Sequence, residues 1–366
     1  MVKRLKRLKR QSIKVYCRLK PLKKNDISVE YEIINDEVSG IDVLDLKHES
    51  SKNNHNNKYQ FHGVFEENIS QSLIFDNVAV PILNKFLSGM NGTIFTYGQT
   101  SSGKTHTMYG SKEDQGIIPR TFEYLFKDAK DHAKYNYKLQ YIEIYNEKVY
   151  DLLAVQKSGN NVQFRIGKNG DIEYINLNEV SISNFNDALK HIKSGNLKKN
   201  ISSTSMNNQS SRSHCICIIK LNVKRGTSKK LNLVDLAGSE RISKFENNEK
   251  TVIESRYINT SLHYLNHVIN VLANPKTHVP YRNSTITSVL KGSLGTKCAT
   301  AMIATVVLNQ KCIGESMSTC RFSKAVSAMK QFSKTKFPSK SLSLKNKMKR
   351  LEIQKLTWEK ENEIQK

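Results

Sequence analysis

Hydrophobic and polar positions alternate along this chain with two periods, and these divide it into short strands and longer helices. Residues 12–18 (Ser-Ile-Lys-Val-Tyr-Cys-Arg) alternate every second position, and Pro21, which has no amide hydrogen for a ladder, closes the run. Residues 93–97 (Thr-Ile-Phe-Thr-Tyr) are β-formers without a breaker, so they predict a buried strand. Residues 215–221 alternate again, which puts Cys215 and Cys217 on one face of a strand. Residues 231–236 (Leu-Asn-Leu-Val-Asp-Leu) predict a further buried strand that ends in an acid. The longest apolar stretch, residues 299–308, is too short to cross a membrane and predicts a core strand. Residues 48–58 carry no hydrophobic side chain and predict an exposed loop. From Tyr59 to about Lys330 helical and strand patterns alternate with short connections, with no repeat and no internal boundary. That order predicts one α/β domain.

The two ends read differently. Residues 1–11 form a Lys/Arg-rich arm, expected to be disordered. Residues 333–345 are rich in Ser and Lys around Pro338 and read as a linker. Residues 348–365 carry Leu351, Ile353, Leu356 and Trp358 among many charges, a helix with too few heptads for a coiled coil.

Charge narrows the partner. The 366 residues include 58 Lys/Arg and 33 Asp/Glu, a net +25, so the expected partner is a polyanion. Nucleic acid, an anionic membrane and an acidic protein polymer all satisfy that. The six cysteines have no zinc spacing and read as buried thiols. The basic start lacks the apolar core of a secretion signal, which predicts an intracellular protein.

One segment carries chemistry outright. Gly98-Gln99-Thr100-Ser101-Ser102-Gly103-Lys104-Thr105 fits G-x-x-x-x-G-K-[ST] in full. It follows the strand at 93–97, and residues 106–109 can open a helix. A strand, a glycine loop and a helix start turn successive amides toward one point, which is how an anion is held. Lys104 can reach the β- and γ-phosphates, and the Thr105 hydroxyl can bind Mg²⁺. The motif alone does not choose between ATP and GTP. Two further elements support it. Residues 207–214 (Asn-Asn-Gln-Ser-Ser-Arg-Ser-His) are denser in hydroxyls and amides than a turn needs, and suit Mg²⁺, a γ-phosphate and a water. Asp235-Leu236-Ala237-Gly238 is a D-x-x-G at a strand end, where phosphoryl-transfer enzymes place the acid of the metal shell. The Gly238 amide can meet the γ-phosphate with no side chain in the way.

Together these elements resemble the kinesin motor domain. Kinesins carry YGQTxSGKT, NxxSSRSH and DLAGSE, matched here by residues 97–105, 207–214 and 235–240. Residues 141–147 (YIEIYNE), 116–120 (GIIPR) and 278–284 (HVPYRNS) are similar to the family too, and the likeness runs from about Ile13 to Lys330. Residues 257–265, with 316–322, look most like the ninth kinesin class, associated with cilia and flagella.

The resemblance implies a three-layer P-loop NTPase motor domain over residues 12–330, a central mixed, mostly parallel sheet with helices on both faces. It implies ATP and Mg²⁺ as cofactors, and a microtubule-stimulated ATPase that moves toward the plus end. Microtubules, polymers of acidic tubulin, are then the partner. No nucleic-acid module is recognisable, no membrane partner is expected, and N-K-x-D, needed to read guanine, does not occur. The alternative kept beside it is a non-motile or weakly active microtubule-binding scaffold. Residues 331–345 would be the neck-linker-like segment and 346–366 the start of a helical neck or stalk. A homodimer would form through a C-terminal stalk not present in this chain. The expected location is cytoplasm and cytoskeleton, with the axoneme of a cilium or flagellum as the finer reading.

Residue roles follow from the same likeness. Gly98, Gln99, Thr100, Ser101, Ser102, Gly103 and Lys104 would wrap the phosphates, with Arg18, Pro21 and His106 beside the adenine. Thr105 and Ser211 would ligate Mg²⁺, and Asp235 would act through a water. Asn207, Ser210 and Gly238 would face the γ-phosphate, and Arg212 would pair with Glu240. Arg282, with Tyr281 and His278, would touch the microtubule. The chain departs from the family at Lys20 and Lys199, where Arg is usual, at Thr260 and Thr285, where Lys is usual near the track, and at residues 245–249, where a glycine-rich loop is usual.

Overall fold

A computed structural model describes residues 9–36, 38–47, 57–127, 136–154, 162–167, 172–204, 212–223, 227–240, 249–273, 278–294 and 298–333. Residues 10–332 form one compact unit. The other unit, residues 1–9 with 333–366, lies outside the described residues apart from Lys9 and Ser333.

The predicted alternation becomes a nine-stranded sheet. Its members are β2 (Lys14–Leu19), β6 (Val64–Phe65), β7 (Asn91–Tyr97), β8 (Asn136–Tyr145), β9 (Lys148–Asp151), β12 (Val180–Ile182), β13 (His214–Val223), β14 (Thr227–Asp235) and β15 (Cys298–Val306). They lie in the order β12-β8-β13-β14-β7-β15-β2-β6, with β9 on β8. The block β14-β7-β15-β2-β6 is parallel, and the block β12-β8-β13-β14 is antiparallel. The sheet is mixed, as predicted, and the phosphate loop leaves its parallel block. A small sheet of β3 (Tyr31–Asp36), β4 (Ile41–Leu46) and β5 (Lys58–Phe61) stands apart, as does the hairpin β10 (Gln163–Ile166) and β11 (Ile172–Ile175).

Helices cover both faces because both faces are apolar. On one face Ile74, Leu83 and Phe86 come from α1 (Gln71–Ile74) and α2 (Val80–Leu87), joined by a π turn, Phe75–Ala79. Met108 comes from α3 (Lys104–Tyr109), Phe122 from α4 (Ile117–Phe126) and Ile192 from α5 (Phe185–Thr204), and all share one core with Leu231 and Leu233 of β14. On the other face α6 (Glu249–Ala273), α7 (Thr285–Val289) and α8 (Ile313–Ala328) bring Leu265, Val289 and Val326 against Ile216, Val234 and Met302. Cys215 and Cys217 both enter the first core while Ile216 and Ile218 enter the second, so the period-two reading of β13 holds. Every residue of β15 is buried, as its unbroken apolar run predicts.

Two expectations change. Residues 1–8 of the expected disordered arm lie outside the described residues, but from Lys9 on the chain is a strand, β1 (Lys9–Ser12), which pairs with β16 (Lys330–Ser333). A strand needs a partner, and that partner comes from the far end of the compact unit. Residues 48–58 were read as exposed, yet Asn57 is buried and Lys58 opens β5. The remainder of that loop, 48–56, lies outside the described residues.

Gly92 shows how tightly the layers close. A Cβ there would lie 2.7 Å from Leu231 Cδ1 and 3.0 Å from Ile82 Cγ2. α8 is fixed by a flat ring stack, Tyr97 on Phe322, with centroids 3.8 Å apart and planes 9° from parallel. Both rings are buried, and burial pushes the Tyr97 hydroxyl up to about 12. Replacing Phe322 by Ala is expected to cost about 3–5 kcal/mol in chemical denaturation. A loss under about 1 kcal/mol would mean that the stack does not anchor α8.

Candidate functional site

The site begins where β7 runs out. Gly98 follows Tyr97 with φ +156°, and a Cβ there would sit 2.3 Å from the Thr305 carbonyl. Only glycine lets the loop start so close to β15. Ser102 Oγ shares a 2.6 Å hydrogen bond with Thr305 Oγ1, and Lys20 Nζ donates to the Ser101 carbonyl at 2.6 Å. Gly103 caps α3 at φ +106°, and no atom lies within 4 Å of a Cβ built on it, so the mouth of the loop is open there.

Lys104 is buried. Its Nζ donates to the Gly98 and Gln99 carbonyls at 2.9 and 2.7 Å. Burial pulls this ammonium below its ordinary range, and the Asp235 and Glu240 carboxylates oppose the shift. Asp235 ends β14 and is 3 % exposed. Parallel pairing sets Asp235 beside Thr96 of β7. Its carboxylate accepts from Thr105 Oγ1 at 2.8 Å and from Thr96 Oγ1 at 3.4 Å. Beyond it the chain turns back over the loop. Ser239 N–H donates to the Gly98 carbonyl at 3.1 Å, and Thr100 N–H donates to Glu240 Oε2 at 2.6 Å. A Cβ on Gly238 would lie 2.2 Å from Thr100 Oγ1, so a larger residue would have to displace the side chains packed on this turn.

A polar row crosses the sheet beneath the loop. Cys215 is in register with Asp235 on one side and with Glu143 of β8 on the other. Lys199 of α5, 8 % exposed, meets this row. Burial lowers its proton affinity, but contact with Cys215 and the charges of Asp235 and Glu143 outweigh that and leave the ammonium above its ordinary range.

His214 starts β13 and is 3 % exposed. Its Nδ1 accepts from the Ala237 N–H at 3.0 Å, which leaves Nε2 to donate to Ser261 Oγ of α6, also at 3.0 Å. One neutral imidazole therefore joins the D-x-x-G turn to the helix that follows it.

The three residues expected beside the adenine divide, with Arg18 buried and His106 and Pro21 exposed. Arg18, 8 % exposed, donates from one guanidinium nitrogen to Gln71 Oε1 and Thr107 Oγ1, both at 2.9 Å. Gln71 Nε2 donates to the His106 carbonyl at 2.6 Å. Burial lowers Arg18 to about 10. His106 and Pro21 are exposed, and burial together with the Arg18 charge holds the His106 imidazole below its ordinary value.

The structure thus brings Gly98, Gln99, Thr100, Gly103, Lys104, Thr105, Asp235, Gly238 and Glu240 together at the carboxyl ends of β7 and β14. Asn207, Ser210 and Ser211 lie outside the described residues, and so do residues 241–248 of the altered loop. Arg212, half-buried, opens the segment that leads into β13. Sequence reasoning missed Gln71 and Thr107, the contact of Lys20 with Ser101, and the role of Ser261, which it named only within residues 257–265; all these contacts come from packing between distant segments. Arg282 and His278 are exposed, but Tyr281 is half-buried, and its hydroxyl donates to the Leu294 carbonyl at 2.9 Å. Thr285, read as a lost surface cation, is instead 8 % exposed, and its amide and hydroxyl bind Glu147.

The chemistry of the donor set suits Mg²⁺. A hydroxyl and a buried carboxylate converge at the mouth of an open glycine loop, hard oxygens of the kind that share Mg²⁺ with phosphate and water. Among the described residues no helix is long and apolar enough to span a membrane, and no cluster of three metal-binding side chains occurs.

Comparison with known proteins places the chain in a family. Residues 18–329 match the kinesin motor domain model. This chain belongs to the kinesin motor domain family. Kinesin-related protein 13 of Dictyostelium discoideum is 40 % identical over 281 residues, 72 % of this chain and 22 % of the relative. Kinesin-related protein 3 of the same organism is 38 % identical over 326 residues, 85 % of this chain and 27 % of the relative. The chain thus spans about a quarter of the length of these two relatives. A solved fast kinesin, described for its ATPase mechanism and interactions with microtubules, superposes with TM-score 0.78 at 32 % identity, over 90 % of this chain and 95 % of that one. A Kar3Vik1 motor and motor-homology structure superposes with TM-score 0.75 at 31 % identity, over 86 % of this chain and 84 % of that one.

The buried imidazole makes this kinesin fold sensitive to acid. His214 is lowered to about 3, mainly by burial and then by the Lys104 and Lys199 charges. The unfolded chain takes up this proton near pH 6.5, and the folded chain takes it up only near 3. Stability is therefore lost as pH falls through that window, by up to about 1.4 kcal/mol per pH unit. His214→Gln is expected to flatten the dependence, read as unfolding free energy at pH 7, 6 and 5. Equal slopes in both proteins would contradict the assignment.

Proposed function

We propose that this motor domain hydrolyses ATP and couples hydrolysis to microtubule binding and movement. The observation that carries the reading is the meeting of Lys104, Thr105, Asp235 and Glu240 at the carboxyl ends of β7 and β14. Lys104 and the amides of residues 98–105 bind the triphosphate, and Arg18, Pro21 and His106 border the base. Thr105 and Ser211 would hold Mg²⁺, with Asp235 through a water, and the metal would supply charge neutralisation to the phosphates. Asn207, Ser210 and the Gly238 amide face the terminal phosphate. Arg212 and Glu240 close over it, exclude bulk water and position the attacking one, so catalysis is mainly orientation and electrostatics.

The polymer contact falls on α6 and the segment after it, with Arg282 and His278 as exposed candidates and Tyr281 as their support. A net charge of +25 favours encounter with an acidic filament. Movement toward the plus end, dimerisation through a stalk, and cytoskeletal or axonemal placement complete the proposal. A non-motile, weakly active microtubule-binding scaffold is the second reading, favoured by the absence of Lys and Arg from residues 257–273 of α6.

ATP turnover with and without polymerised tubulin separates the two, with GTP and nucleic acid as controls. Microtubules should raise the wild-type rate, and no rise would remove the motor reading. Arg212→Ala should retain nucleotide and lose the stimulated rate by at least about 100-fold. Stimulated turnover at the wild-type level in that variant would refute the Arg212–Glu240 closure.

A further inference from the structure

Two donors of the phosphate loop, the Thr100 amide and the Lys104 ammonium, already have internal partners, and the partner of the first is itself an anion. Thr100 N–H donates to Glu240 Oε2 at 2.6 Å. Neutral amide bonds centre near 2.9–3.0 Å, and the shorter distance belongs to the charge-assisted kind. The approach is enforced by the backbone. Ser239 N–H, one residue earlier, is tied to the Gly98 carbonyl at 3.1 Å. A Cβ on Gly238 would fall 2.5 and 2.6 Å from the two Glu240 carboxylate oxygens, so the side chain is folded back over its own turn onto the loop. Lys104 is meanwhile engaged by the Gly98 and Gln99 carbonyls.

We propose that Glu240 is a built-in competitor for the phosphate loop: its carboxylate stands in for a phosphate oxygen on the Thr100 amide and must leave before a phosphate binds. This rests on the reading of the loop as a nucleotide site and adds an order of events to it. A phosphate brings negative charge to an amide already held by a carboxylate, and two anions do not share one donor. Displacement frees Glu240 and loosens the strut of which Ser239 is part. Arrival of phosphate is thereby linked to movement of the turn after Asp235. Nothing covalent is involved. One hydrogen bond is exchanged for another at the Thr100 amide.

The test uses nucleotide-free protein and two probes, inorganic pyrophosphate and mant-ADP. Glu240→Gln keeps the shape and removes the charge. Glu240→Asp keeps the charge and shortens the reach by one methylene, so it guards against a folding defect peculiar to either variant. Both variants should bind pyrophosphate about tenfold more tightly than wild type by calorimetry, the size of one charge-assisted hydrogen bond lost from the competitor. Both nucleotide-free variants should also melt at lower temperature. In stopped flow, the wild-type rate of mant-ADP association should level off with concentration, because departure of Glu240 comes first. The same rate in the variants should keep rising. Equal or weaker pyrophosphate affinity in both variants would overturn the competitor. Wild-type protein that binds neither probe would overturn the nucleotide reading and the competitor with it.

Discussion

The site depends on one register. β7 and β14 run parallel with Thr96 beside Asp235, so the glycine loop that leaves β7 and the acid that ends β14 emerge at the same height on the same edge. A shift by one residue would send Asp235 into the opposite core, because successive strand residues face opposite sides. That register is held by apolar packing on both faces, with Leu231 and Leu233 in one core and Val234 in the other. The 2.8 Å bond from Thr105 to Asp235 is its consequence at the edge. The polar chemistry is thus positioned by the hydrophobic pattern, and the catalytic loops need not find one another independently.

Burial gives that edge its electrostatic character. Lys104, Lys199 and Asp235 are each less than a tenth exposed, and Glu143 is 9 % exposed. Charges taken out of water persist only when paired or hydrogen-bonded. Here the cations alternate with acids along the row from Glu143 through Cys215 to Asp235 and the loop. His214, surrounded by these cations, stays neutral, and neutrality lets one ring accept from Ala237 and donate to Ser261. Replacing the family's usual Arg by Lys199 keeps a charge in the row but removes the planar fork that would bind two partners at once.

The legible part of this protein was the part written in local pattern. The strand before Gly98, the glycine loop, the acid at the end of β14 and the two-faced alternation of β13 all follow from spacing within a few residues. Packing between remote segments was not legible. The reach of Glu240 back to Thr100 crosses 140 positions, and His214 meets Ser261 across 47. No periodicity encodes either contact, since each depends on how a sheet twists and where a turn lands. Arg18 was visible as a charge at a strand end, but its capture by Gln71 and Thr107 required α1 and α3 to converge on it. The pairing of residues 9–12 was not legible for the same reason, because the partner of β1 is more than three hundred residues away.

The link through His214 enters α6 near its middle. That helix has 25 residues and, at about 1.5 Å per residue, forms a rod roughly 37 Å long with Ser261 as its pivot. Leverage follows from the lengths alone: a tilt of about 10° around that point carries the two tips roughly 3 Å in opposite directions. A displacement too small to break one imidazole contact is in this way enlarged to the diameter of a water molecule at either end of the rod.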